Sequence, residues 1–368
     1  MKKILIIFLA AVIVILPFSF LYGEEASLFD RYIDNDTLLA DYTEKYNTLV
    51  SDREERLEIY DNYRISYKNA YYAAIGTAAK ENGILQVDWD IQNALYDMKA
   101  REALLEINFR NTLEMLCQKT AAADSSDISV SEALSKYNET LSNHSKGYAS
   151  DIELLEAEYN YKKAENARLA AIRSLESALR SFDSMTGYTL DEFDDYLFNF
   201  NEEIAEPADL SFYIDKAMEN SKSLNIIRQD IARYETELRN LSEYYISESL
   251  TYYKDKKDSI ETNLAILRLT LEQKELEVQR NVENKYTALS VERERISLFE
   301  LSLEIAETNH EINKDLFNRN LIDRMELEDS NKSVNEALAE YDLAVHGYNT
   351  MLLELEYDCA CFMSEDER

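Results

Sequence analysis

Glycine and proline are nearly missing from this chain, with six and two in 368 residues. Loops depend on both residue types, so a turn-rich sandwich or a chain of small globular domains is excluded and long helices are expected. Cysteine is scarce as well. Cys117, Cys359 and Cys361 are odd in number and offer only a bare C-x-C spacing, which excludes a readable disulfide framework and the paired spacings of zinc sites. The three histidines, His144, His310 and His346, are scattered and stand next to no Ser or Cys at a useful spacing. Neither a catalytic site nor a cofactor or metal site is indicated. Positive charge is also in deficit: 39 basic against 72 acidic residues leave a net charge of −33. Electrostatic binding to nucleic acid or to an anionic membrane is thereby excluded, and partners are expected to be basic, cationic or weakly charged. Most of the acidic residues are expected to do no more than solvate exposed helix faces.

What the chain does contain begins with Lys2 and Lys3, the apolar run Ile4 to Leu16, Pro17, and Leu21-Tyr22-Gly23 before Glu24. This is the pattern of a secretory signal peptide over residues 1–23. Extended to Tyr22, the run just reaches the ~20 residues of a membrane span, so an uncleaved anchor stays open. No Cys follows it, and a lipid anchor is not indicated.

The remainder is rich in Leu, Glu, Ala, Lys, Asn, Ser and Tyr, a mix suited to long helices and coiled coils. Leu289, Ile296 and Leu303 recur every seven residues, and Val291, Leu298 and Ile305 form an adjacent stripe. Two neighbouring stripes predict a helix, about Glu261 to Asn318, that packs on more than one side. Asn320 supplies a left-handed break and Asp323 an N-cap, and a returning helix is expected over about Asp323 to Tyr357. An earlier turn, Ser145 to Asp151, has Gly147 as breaker and Ser150 as cap, and the helix after it ends at Gly187. One offset of 173 residues places Gly147 on Asn320, Ser150 on Asp323, Glu153 on Glu326 and Leu179 on Leu352. An internal duplication follows, with a first repeat over residues 24–206 and a second over 207–368, divided at Pro207. Ala121 to Ser131 is small and polar and reads as a loosened or kinked stretch. Ile65 to Trp89 and Tyr244 to Leu267 read as the places where each half reverses. The 26 tyrosines read as interhelical packing with wet hydroxyls.

The run Gly147-Tyr148-Ala149-Ser150-Asp151-Ile152-Glu153-Leu154-Leu155-Glu156-Ala157-Glu158 resembles the turn-and-helix signature of TolC-type outer-membrane efflux proteins. The second copy, Asn320 to Ser330, is similar but has Asn320 for the Gly and Ser330 for the Ala. Leu210 to Asn220 is similar to the segment that opens a repeat in that family. The resemblance implies an all-α fold of long antiparallel coiled-coil hairpins in two tandem repeats, a homotrimer with a tunnel lumen, and no enzyme activity. It further implies tip turns that meet a periplasmic adaptor protein linked to an inner-membrane transporter. These are Gly147, Tyr148, Ala149 and Ser150 in one half and Asn320, Leu321, Ile322 and Asp323 in the other. Glu153, Glu156, Glu326 and Asp329 would ring the tunnel entrance, where mutual repulsion raises carboxylate pKa values. The departure is at the outer ends. A barrel strand needs about 9 to 11 residues of alternating pattern, Ile65 to Trp89 has room for two short strands at most, and Lys254 to Asp258 interrupts the other region. The barrel is expected to be missing or vestigial. The other reading is a secreted coiled-coil scaffold of the envelope that conducts nothing.

Overall fold

Long runs of good helix formers with hydroxyls that bond back to their own backbone build nine helices among the described residues of the computed structural model, which are 24–187, 202–244 and 250–363. The segment 1–23, expected to be a signal peptide, lies outside them. The helices are α1 (Glu24–Asp34), α2 (Thr37–Ser51), α3 (Arg53–Asp61), α4 (Ala70–Ser145), α5 (Asp151–Thr186), α6 (Leu210–Asn220), α7 (Lys222–Glu243), α8 (Thr251–Asn318) and α9 (Arg324–Asp358). There is no strand among the described residues. At 1.5 Å per residue, the 76 residues of α4 and the 68 of α8 span roughly 110 and 100 Å.

Two hairpins dominate, α4 against α5 and α8 against α9, and they join where α4 meets α7 and α9. The ends of α4 and α8 (145 and 318), the starts of α5 and α9 (151 and 324) and the starts of α2 and α6 (37 and 210) are each 173 residues apart.

Three clusters of buried side chains hold the bundle. Phe29 and Tyr32 of α1 close over Leu105, Phe109, Leu113 and Leu116 of α4 and Phe182 of α5. Tyr213 and Ala217 of α6 pack on Val282, Leu289 and Ile296 of α8 and on Val345, Tyr348, Leu352 and Leu355 of α9. Leu241, Tyr253, Ile260 and Leu264 meet Ala74 of α4 at the outer end. Val282, Leu289 and Ile296 repeat every seven residues, so the sequence seam is the one buried against α9 and α6.

Three expectations need correction. Residues 70–89 are not a reversal with strands but the first turns of α4, entered through the Asn69 cap, whose side chain accepts from the Tyr72 N–H at 3.0 Å. The reversal itself is confined to residues 62–69. Gly83 admits the Tyr60 ring of α3 so closely that a Cβ there would lie 2.0 Å from it. Second, α8 starts at Thr251, about ten residues before the expected Glu261. The charged run 254–258 does not interrupt it, because Tyr253 and Ile260 are buried on one face while Lys256 pairs across to Glu237 of α7 at 2.7 Å. Residues 245–249 of that reversal lie outside the described residues. Third, Ala121 to Ser131 is unbroken helix. The Thr120, Ser126 and Ser129 hydroxyls donate to the carbonyls of Leu116, Ala123 and Ser125 at 3.0, 2.6 and 3.0 Å, which satisfies the polar run within the helix itself.

Candidate functional site

Each hairpin ends in a Schellman closure. At the first tip the Tyr148 N–H reaches the Asn143 carbonyl at 2.9 Å, with Gly147 between them at φ +77°. At the second, the Leu321 N–H reaches the Leu316 carbonyl at 2.9 Å, with Asn320 at φ +56°. Only glycine enters that region freely, and asparagine is among the few tolerated substitutes. The next helix is then capped in each case. Ser150 and Glu153 form a reciprocal capping box, in which the Ser150 N–H donates to Glu153 Oε2 at 2.6 Å and the Glu153 N–H to Ser150 Oγ at 3.3 Å. The Glu326 N–H donates to Asp323 Oδ1 at 2.9 Å. His144 Nε2 meets Asp151 across the first turn at 2.8 Å.

The tips present apolar side chains to solvent. Tyr148 is 81% exposed and Leu321 66%. Ile152 and Met325, four residues further on in the first turn of the following helix, are 68% exposed each. Sequence reasoning found the turns but missed Ile152 and Met325. Their signal was an apolar residue four positions after Tyr148 and after Leu321, at the same 173-residue offset.

Of the acidic candidates, Glu153, Glu156, Glu326 and Asp329 are all exposed, three residues apart within each half. Glu153 is held below the usual carboxylate range because the Ser150 backbone N–H and hydroxyl donate to it. Within one chain this runs opposite to the rise expected of a charged ring, which depends on neighbouring copies. Glu326 and Asp329 line the groove between α8 and α9, together with Asn309, Asn313, Ser333 and Glu336.

A third feature was not legible in the sequence. The extended segment 202–209 is clamped between α4 and α9 by a buried polar network. Arg110 donates to both Glu202 oxygens at 3.1 and 2.9 Å, His346 Nδ1 lies 2.8 Å from Glu202 Oε1, and the Asn349 amide donates to Glu202 Oε2 at 2.8 Å. His346 Nε2 reaches the Arg110 carbonyl at 3.1 Å, and Asn349 Oδ1 accepts from the Ala205 N–H at 3.0 Å. Burial opposes ionisation of Glu202, but the His346 hydrogen bond and the Arg110 charge outweigh it and hold the carboxyl at about 2.

One apolar face stays uncovered. Val291, Leu298, Ile305 and Ile312 of α8, again at seven-residue spacing, are 58, 68, 55 and 52% exposed.

The class this geometry defines is the TolC-type fold of long helical hairpins. No protein-family model matches the sequence, and no curated protein does. Among solved structures, the chain is similar to CusC, studied for its transmembrane channel formation, at 12% identity and a TM-score of 0.54 over 92% of this chain and 93% of that one. It is also similar to the outer-membrane channel OprN at 9% identity, with a TM-score of 0.55 over 91% and 89% of the two chains. The outer membrane protein VceC of Vibrio cholerae matches at 9% identity and a TM-score of 0.52, over 92% and 95%. At such identities the likeness is one of fold.

Proposed function

We propose that this protein is the passive duct component of a cell-envelope efflux or export system. Three copies form a helical tunnel, and its tips dock to a periplasmic adaptor that is joined to an inner-membrane transporter. The reading divides the exported chain into two repeats, 24–206 and 207–368, in keeping with the 173-residue recurrence of element ends. The observation that carries it is the α8 stripe Val291, Leu298, Ile305 and Ile312. The seam on the other side of α8 is already filled by α9 and α6, so a second heptad stripe left open from Val291 to Ile312, over roughly 30 Å of helix, calls for another helix to cover it. A neighbouring copy supplies one.

In the assembled tunnel the apolar pairs Tyr148/Ile152 and Leu321/Met325 face the adaptor. Glu153, Glu156, Glu326 and Asp329 repeat around the mouth and favour cations. The solved channels with this fold support the assignment to the envelope. The net charge of −33 suits a lumen that carries cationic or neutral cargo.

The test is the mass of the exported chain by light scattering, without and with detergent, beside the variant Leu298→Glu. A trimer in the parent that falls to a helical monomer in the variant supports the duct. An extended monomer or dimer of the parent under both conditions would overturn it and favour a scaffold.

A further inference from the structure

The last turn of α9 brings two of the three thiols together. The Cys359 N–H donates to the Leu355 carbonyl at 3.0 Å and the Cys361 N–H to the Glu356 carbonyl at 2.9 Å, with Ala360 between them at φ +51°. This is a third Schellman closure, but it has alanine where the tips have glycine and asparagine, and a non-glycine residue in that region is uncommon. The conformation is held from outside. Ala360 is fully buried, and its carbonyl accepts from the Asn220 amide of α6 at 3.1 Å, Asn220 itself being buried.

Two residues of chain separate the flanking Cα atoms by at most about 7 Å even when extended, and the turn shortens this further, into the roughly 4.4–6.8 Å that a disulfide spans. Both cysteines belong to the cluster around Tyr213. The Cys359 thiol is hydrogen-bonded to Cys361, and that contact, with burial, pushes its pKa up. The two differ in access: Cys359 is fully buried and Cys361 half-buried. Cys117 lies in the separate cluster of α1, α4 and α5.

We infer that Cys359 and Cys361 are a dithiol–disulfide pair that closes a short loop through Ala360 at the end of α9. Cys361, the accessible member, attacks as thiolate one sulfur of a small-molecule disulfide, expels one thiolate and forms a mixed disulfide. The Cys359 sulfur then attacks that of Cys361 and expels the second thiolate, which takes up the Cys359 proton as it leaves. The protein loses two electrons and two protons, and the oxidant is reduced to two thiols. Oxidation therefore fixes Ala360 in the conformation that presents its carbonyl to Asn220, and so fastens the end of α9 to α6. This chemistry is independent of whether the protein conducts.

The experiment equilibrates the folded full chain with a series of reduced to oxidised glutathione ratios, quenches it with acid, alkylates it with iodoacetamide in denaturant so that buried thiols are reached, and maps the peptides by mass. The expected result is a C-terminal peptide lighter by two hydrogens with neither Cys359 nor Cys361 alkylated, reversed by reduction, while Cys117 keeps its thiol. Cys359→Ser is expected to hold a stable glutathione adduct on Cys361, and Cys361→Ser to form neither adduct nor loop. Circular dichroism verifies that both variants fold. The inference is overturned if the parent stops at a mixed disulfide on Cys361, if both thiols stay alkylatable at every ratio, or if either pairs with Cys117 or a second chain.

Discussion

Glu356 stands partly buried on the face of α9 that meets α4, close enough to Glu106 for the two carboxylates to repel. Burial, with the charge of Glu106 adding to it, pushes its carboxyl up from 4.5 to about 7. Glu106 is raised as well, chiefly by burial, with Arg110 working against it and the charge of Glu102 adding to it. A raised carboxyl binds its proton more tightly in the folded chain than in the unfolded one. Its contribution to stability is therefore complete below pH 4.5 and is lost as the pH climbs through about 7. At about 1.4 kcal/mol per pH unit the full displacement amounts to ~3 kcal/mol, and partial solvation of the site brings the expected loss to about 2 kcal/mol. Glu356→Gln keeps the shape and removes the titration. Urea unfolding is expected to show the variant close to the parent at pH 4 and about 2 kcal/mol more stable at pH 8. An equal difference at both pH values, or a variant that is weaker at pH 8, would refute the reasoning.

The Glu202 clamp titrates in the opposite sense: held at about 2, it stabilises the fold above pH 4.5, and this is lost as the pH falls toward 2. Arg110→Met strips that carboxylate of its bidentate partner and is expected to cost about 3–5 kcal/mol, read as a lowered urea midpoint at pH 7. Ser150→Ala removes the hydroxyl of the capping box and is expected to cost about 1 kcal/mol, with faster amide exchange confined to the first turn of α5. Gly83→Ala drives a methyl into the Tyr60 ring and is expected to cost about 1–3 kcal/mol. Combining it with Tyr60→Ala relieves most of that penalty if the ring is the obstacle, and adds to it otherwise.

The tips were readable because their signals are local. Gly147 and Asn320 take left-handed backbone, Ser150 and Asp323 cap the next helix, and each decision falls within five residues. The start of α8 was misjudged because its apolar seam was followed upstream only as far as Leu264, and Lys254 to Asp258 was weighed only as a break in a strand. Tyr253 and Ile260, seven residues apart on the opposite face, decide the matter by burial. The polar run Ala121 to Ser131 misled for a related reason, since its hydroxyls find partners one turn back on their own helix. The clamp was out of reach because Arg110, Glu202 and His346 lie 92 to 236 residues apart, and nothing local marks a histidine that will be buried against a carboxylate. The apolar pair Leu298 and Ile305 was legible as a packing face, but a single chain does not contain the surface that covers it.

The returning arms of the two hairpins match at both ends to within a residue, but the long arms α4 and α8 match only at the tip. Measured back from the tips by the shared 173-residue spacing, α8 begins eight residues later than α4, since Thr251 corresponds to position 78 and α4 starts at Ala70. The distal turns therefore act as a datum, and the mismatch of span between the two long arms falls at the far end, where the connector at 62–69 leads into α4. Trimming one heptad from both arms of a single hairpin would lower its apex by roughly 10 Å and leave an uneven rim, whereas the same trim at the opposite end would only lengthen or shorten a connector. Tolerance to insertion is thus expected to be sharply polar along the molecule.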